Sequence, residues 1–179
     1  GCGTGEVLRL VGEGLGAKWL IGVDWCRAGL RQAQEAERWA GEVVLLRGDV
    51  SRLPLADGAA HLMLAIDILE HMPDPEAFLR EAGRVADELV IKAPVAEQEA
   101  HYTHCAGHLQ FLRTADCRRM LEATGWHVVN ESFPIAPGFY EDASSIYRAM
   151  REARRRIVQS AKHLLGVRKW YMAHARRLG

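Results

Sequence analysis

The sequence predicts an α/β fold: a doubly wound, mostly parallel sheet that lacks its first strand and is followed by a C-terminal helical extension. Three observations carry this reading. Short apolar runs alternate with helical patterns between residues 6 and 133, and such alternation builds a parallel sheet with helices on both faces. Several of these runs end in an aspartate, as in WLIGVD, VVLLRGD and LMLAID. The chain opens on a glycine-rich turn, GCGTG, with no strand before it, although such turns normally carry a strand into a helix.

The elements follow in order. EVLRLVGEGL (6–15) is apolar at Val7, Leu8, Leu10, Val11 and Leu15, one helical face, and Gly14 and Gly16 supply its stop. KWLIGVDW (18–25) reads as a buried strand, residues 27–40 as a helix with Leu30, Ala33, Ala36 and Ala40 on one side, and EVVLLRGDV (42–50) as a second strand. Pro54 and Gly58 break the loop that follows, and HLMLAIDIL (61–69) is a third strand. In PDPEAFLREAGRV, Asp74 is an N-cap and Pro75 fits the first helical position, where its missing N–H costs nothing. ELVIKAPV (88–95) is a fourth strand, Thr114 caps TADCRRMLEATG, Gly125 ends that helix, and WHVVNESF (126–133) is a fifth strand.

At 179 residues, with 49% hydrophobic and 26% charged content, the chain has the bulk for a full core. Its formal net charge of +0 gives no overall pull toward nucleic acid. That zero hides an asymmetry: ten Lys/Arg against one acid from Arg148 onward, and 13 basic against 22 acidic residues before it. Cys2, Cys26, Cys105 and Cys117 form no CxxC pair and read as reduced thiols, which points to a cytoplasmic protein. No run approaches the roughly 18 apolar residues of a membrane-spanning helix, and no signal peptide is visible.

Ligands of an open α/β sheet bind beyond the carboxyl ends of its strands. Gly1, Gly3 and Gly5 allow the backbone to turn and to approach a ligand closely, and the helix from Glu6 directs its free N–H groups at an anion or carboxylate. Asp24, 23 positions after Gly1, suits a pair of ribose hydroxyls, because a carboxylate accepts from both at once. Asp49 either accepts from an adenine amino group or is a turn residue before Ser51. The loop is GxGxG rather than GxGxxG, and no tyrosine has a lysine four residues on, so neither dehydrogenase pattern is present.

The runs GCGTGE, IGVDWCRAGLRQA, LLRGDVSRLPLADGAAHLMLAIDILEHMPDPEAFLREAGRV and HLQFLRTADCRRMLEATGWHV resemble a class I S-adenosylmethionine-dependent methyltransferase, of the group with a strand-end LEH and a D-P helix cap. The resemblance covers residues 1–133 and implies a Rossmann-like domain with S-adenosylmethionine as cofactor. By that resemblance Gly1, Gly3 and Gly5 run beside the methionine moiety. Asp24 holds the ribose hydroxyls, and Trp25 packs near the adenine. Asp49 and the backbone of Val50 bind the adenine. Asp67 and Ile68 lie near the sulfonium and amino-acid end, with Glu70 and His71 forming the wall behind. The missing first strand is the family's central one. Its loss leaves two strands with unpaired buried backbone groups, so the residues read as a piece of a longer product.

The expected reaction is in-line displacement at the methyl carbon. Where the acceptor must lose a proton, the candidate bases are His71, His104 and His108, the last two in HYTHCAGH (101–108). No metal is expected, since methyl transfer needs none. Residues 134–179 form the expected extension. Within it Ile146, Met150, Ala153, Ile157, Ala161 and Leu164 make one apolar helical stripe with arginines on the other faces. A small-molecule or lipid-like acceptor is the leading partner. RNA, protein or an anionic membrane surface met through residues 145–179 is an alternative, and a methyltransferase-like binding module without activity is another.

Overall fold

A computed structural model describes residues 1–35, 39, 41–95, 107–132 and 170–177. In chain order the elements are α1 (Glu6–Leu15), β1 (Trp19–Asp24), α2 (Arg27–Glu35), β2 (Glu42–Arg47), β3 (Ala60–Ile66), a 3-10 turn (Leu69–His71), α3 (Pro75–Val85), β4 (Ala86–Pro94), α4 (Thr114–Ala123), β5 (Trp126–Ser132) and β6 (Trp170–Arg177). The strands form two ladders, β1–β2 and β3–β4–β6–β5. The chain divides into two units among the described residues, one over Gly1–Pro54, the other over 55–132 with 170–177.

In the first unit β1 and β2 run parallel, from Trp19 opposite Glu42 to Asp24 opposite Arg47. Helix α1 packs close to β1 because Gly12 has no side chain: a Cβ there would stand 2.6 Å from Leu20 Cδ1. Gly16, at φ 61°, ends the helix in the left-handed conformation that its position predicts.

In the second unit β3 and β4 run parallel, and β6 lies antiparallel between β4 and β5. Helix α3 begins as the sequence predicts: Asp74 Oδ1 accepts from Ala77 N at 2.9 Å, with Pro75 in the first turn. Its inner face buries Phe78, Leu79, Ala82 and Val85 against a core with Leu89, Ile91, Leu121 and Trp126. The indole of Trp126 donates to Leu79 O at 3.0 Å, which satisfies the one polar atom of that buried ring. Helix α4 starts one residue into the expected cap: Arg113 precedes it, Asp116 accepts from Arg113 N at 3.1 Å, and Thr114 is its first, buried residue.

β1, β2 and β4 shift by one to three residues at an end from the sequence reading, and two further differences have definite physical reasons. The third strand stops at Ile66 instead of running to 69, because Asp67 adopts φ 52° and turns the chain into the 3-10 turn. Within the expected helical extension, Trp170–Arg177 is a strand; the apolar stripe 146–164 lies outside the described residues. This strand sits between two others and buries the neighbours Met172 and Ala173 as well as Ala175, with His174 half-buried between them, so it has no clean alternation by which to recognise it. Among the described residues Cys2 and Cys26 are free thiols, and no helix is long and apolar enough to cross a membrane.

The β4–β6 pairing has an electrostatic clasp. Glu88 faces Arg176 in register, and its carboxylate is 3.0 Å from His174 Nε2 and 3.1 Å from Arg176 Nη2. Partial burial pushes the Glu88 carboxyl up, but the hydrogen bonds from His174 and Arg176 outweigh it and hold the group below its usual value. A depressed carboxyl contributes stability above its unfolded pKa and loses it as pH falls through the folded one. Solvent screens this pair, so Glu88→Gln costs roughly 0.5–1 kcal/mol at pH 7. The difference between the two proteins closes as pH falls through the lowered Glu88 pKa, which urea unfolding across the acid range measures.

Candidate functional site

The opening glycines form a tight turn tied to the end of β1. Cys2 N donates to Val23 O at 2.9 Å, and Gly5 N donates to Cys2 O at 2.8 Å. Gly3 and Gly5 take φ values of 53° and 79°, the left-handed region that favours glycine. Gly5 sits at the N-cap of α1 with no side-chain cap, so the first N–H groups of that helix face outward from the turn. Helix α2 approaches equally closely: a Cβ on Gly29 would meet Gly3 O at 3.1 Å.

Asp24 locks this turn. Its side chain is buried, Oδ2 accepts from Gly3 N at 2.7 Å, and Oδ1 accepts from Cys26 N at 2.8 Å. The acid that the sequence assigns to a ligand is therefore also the brace of the glycine turn. Each oxygen keeps a second lone pair, so neither bond prevents it from accepting a hydroxyl. Trp25 is 78% exposed beside it. Asp49 stands two residues past β2, where Oδ1 accepts from Ser51 N at 2.8 Å. That turn is one of its two sequence-stated roles, and its hydrogen bonds with Ser51 hold the carboxyl below its usual value. The second oxygen remains, and Val50 is half-buried next to it.

In the other unit, Asp67 and Ile68 form the bend after β3. Asp67 Oδ2 is 2.5 Å from the ammonium of Lys92, which is 1% exposed, and Asp67 N donates to Lys92 O at 2.9 Å. The sequence reading passed over Lys92; a lysine inside the apolar run LVIKAPV was the available signal. The turn beyond Asp67 carries Glu70 and His71. Glu70 is buried, and its backbone carbonyl accepts from Leu109 N at 2.7 Å and Gln110 N at 3.0 Å. These bonds clamp the segment that holds His108 onto the turn. His71 Nδ1–H donates to Gly107 O at 2.8 Å, and its ring meets the ring of His108 edge-on, centroids 4.9 Å apart.

The electrostatics of this corner are unusual. Burial, with help from the charge of Asp67, pushes the Glu70 carboxyl up to about 7, against the opposing pull of its own backbone hydrogen bond. Burial and the neighbouring His71 push His108 down from its ordinary value, so its imidazole is neutral at pH 7 and able to accept a proton. The structure thus brings Asp67, Glu70, His71 and His108 into one cluster. His104 lies outside the described residues, as does the rest of 101–106. Sequence reasoning named all four groups separately but not their meeting, which depends on chain 36 residues apart.

A glycine turn on a helix N-terminus, braced by a strand-end aspartate, within alternating α/β elements, is a Rossmann-like arrangement. Residues 1–88 match the family model described as a methyltransferase domain. The matched stretch, just under half of the chain, is similar to class I S-adenosylmethionine-dependent methyltransferases. It is 41% identical over 61 residues to norajmaline N-methyltransferase of Rauvolfia serpentina, a match that spans 34% of this chain and 20% of that protein. Its fold is similar to an S-adenosylmethionine-dependent methyltransferase from Mesorhizobium loti, with TM-score 0.71 and 15% identity over 99% of this chain and 88% of that one. It is also similar to magnesium protoporphyrin IX methyltransferase from Synechocystis PCC 6803 with bound SAH, with TM-score 0.65 and 13% identity over 99% and 72% of the two chains.

Proposed function

We propose that the chain serves S-adenosylmethionine-dependent methyl transfer to a small, partly apolar acceptor. The observation that carries this reading is the Asp24 carboxylate bonded to Gly3 N at the head of α1. That arrangement suits the cofactor's chemistry: the helix N-terminus attracts its carboxylate, and the free lone pairs of Asp24 take its ribose hydroxyls. Asp49 Oδ2, Val50 and the exposed Trp25 ring remain for the adenine. When bound, S-adenosylmethionine supplies a methyl group activated by a sulfonium.

The remaining work falls to the chain. An acceptor N–H or O–H must lose its proton as it is methylated, and His108, neutral and edge-on to the His71 ring, is the base this reading assigns to it. Leu109 and Phe111 stay 57% and 55% exposed next to His108 in sequence. They offer apolar surface to an acceptor that is itself partly apolar, which favours a small-molecule or lipid-like compound over a polyanion.

Calorimetric titration of S-adenosylmethionine tests this. The chain binds saturably, and Asp24→Asn weakens binding by at least about tenfold, the equivalent of 1.4 kcal/mol. The substitution keeps the shape of the side chain but removes its charge. A folded chain that binds no cofactor, or binds it equally well with Asp24→Asn, sinks the reading.

A further inference from the structure

The geometry points to a divalent-cation site formed by Glu70, His71 and His108, one that takes a borderline transition ion such as Zn2+ and leaves coordination positions open for an oxygen or nitrogen of the acceptor. The sequence reading expected no metal, and methyl transfer by itself requires none.

Three independent features carry the site. First, one donor atom from each residue lies within 4.8 Å of the other two. Zinc bond lengths near 2.0–2.2 Å place neighbouring donors about 3.3 Å apart, so side-chain adjustments of an ångström or so close the group around an ion. The framework for this is already rigid, because Glu70 O accepts from both Leu109 N and Gln110 N.

Second, His71 is oriented as metal-ligating histidines are. Its Nδ1–H donates to Gly107 O at 2.8 Å. A carbonyl can only accept, so the bond fixes the proton on Nδ1 and leaves Nε2 as the ligating atom. Third, the Glu70 carboxylate is 2% exposed, and among the described residues its Oε2 has no hydrogen-bond partner. A buried carboxylate oxygen without a donor is costly and needs either a proton or a cation.

The donor set selects the ion. Two imidazoles and one carboxylate suit zinc-like first-row ions, whereas magnesium and calcium prefer an all-oxygen shell. Three protein ligands leave at least one position open, as in catalytic rather than structural zinc sites. An acceptor oxygen or nitrogen held there would lose its proton to solvent more readily, because the ion stabilises the resulting anion; with the ion bound, this replaces proton transfer to His108, whose lone pair the ion then holds. This last role rests on the methyl-transfer reading; the binding of the ion does not. The Lys92 ammonium, which would oppose a cation, is paired with Asp67 Oδ2 at 2.5 Å.

Cobalt serves as the probe. The purified full chain, stripped with chelator and free of S-adenosylmethionine, is titrated with Co2+ and then with Zn2+. One equivalent of Co2+ produces visible d–d bands, and Zn2+ displaces it. His71→Gln, His108→Gln and Glu70→Gln each weaken Zn2+ binding by more than the roughly 10–100-fold that loss of an outer-shell partner costs. His71 is exposed, so its replacement leaves folding intact and keeps the test valid even where Glu70→Gln unfolds the chain. Absence of stoichiometric Co2+ binding overturns the inference. So do unchanged affinity in either histidine variant, and intense near-ultraviolet bands that report cysteine thiolate ligation. Cofactor binding measured in chelator separates the two readings. Binding of S-adenosylmethionine without any cation binding removes this inference alone, whereas cation binding without cofactor binding removes the methyl-transfer reading and leaves the site standing.

Discussion

Gly5→Ala lowers the stability of the chain by about 2–5 kcal/mol. Two costs add. At φ 79° an alanine is held in the left-handed region, which costs an L-residue roughly 1–2 kcal/mol. Its Cβ would also stand 2.6 Å from Trp39 Cη2 and 3.3 Å from Ala33 Cβ. Ala33 is fully buried, so the methyl group must push the Trp39 ring aside, and overpacking of this kind costs about 1–3 kcal/mol. Gly3→Ala separates the two terms. Gly3 has φ 53°, but nothing lies within 4 Å of its added Cβ, so only the backbone cost of about 1–2 kcal/mol remains. For a chain of this size each kcal/mol lowers Tm by roughly 2–4 °C. Thermal unfolding of the two variants side by side therefore shows Gly5→Ala melting well below Gly3→Ala. Equal melting temperatures would mean that the Trp39 contact carries no energy.

The same contrast shows how far sequence reaches. Gly3 and Gly5 are legible as a turn because glycine alone adopts their backbone cheaply. The contact with Trp39, 34 positions on, leaves no local mark. The Asp74–Pro75 cap and the stops at Gly16 and Gly125 are equally legible, since the side chain and the backbone that it serves are neighbours. Asp24 was readable from its spacing after the glycines, but its second duty as the brace of Gly3 N was not.

Three features stayed hidden for definite physical reasons. Strand β6 lies between β4 and β5 and buries both Met172 and Ala173, which point to opposite faces, so the period of two that betrays a half-exposed strand is missing. The end of β3 is set by one aspartate in a left-handed conformation, which apolar patterning cannot show. The Glu70–His71–His108 group forms only because backbone bonds fold 107–110 onto the turn at 69–71.

Asp67→Asn destabilises the chain by about 2–4 kcal/mol, more than Lys92→Met does, and the order of the two is the informative result. Asparagine tolerates the left-handed conformation nearly as well as aspartate does, so this variant leaves the φ of 52° unstrained and removes only the charge. What remains is the Lys92 ammonium, 1% exposed, without the carboxylate that stood 2.5 Å away. Removing one partner of a buried pair costs about 3–5 kcal/mol. The figure here is set lower because the Asp67 side chain is 25% exposed and water reaches that end of the pair. Lys92→Met removes the charge that is hardest to solvate and fills the same space with apolar atoms. The Asp67 carboxylate that it leaves behind can turn to water, and the cost falls to roughly 1–2 kcal/mol. The double variant, with neither charge, lies within about 1 kcal/mol of Lys92→Met alone, because two groups in contact are not additive. A double-mutant cycle by urea unfolding measures all three values. Equal costs for the single variants, or a double variant as unstable as their sum, would show that the pair does not act through charge. Lys92 would then be a packing residue, and Asp67 would hold the bend after β3 through its backbone N–H alone.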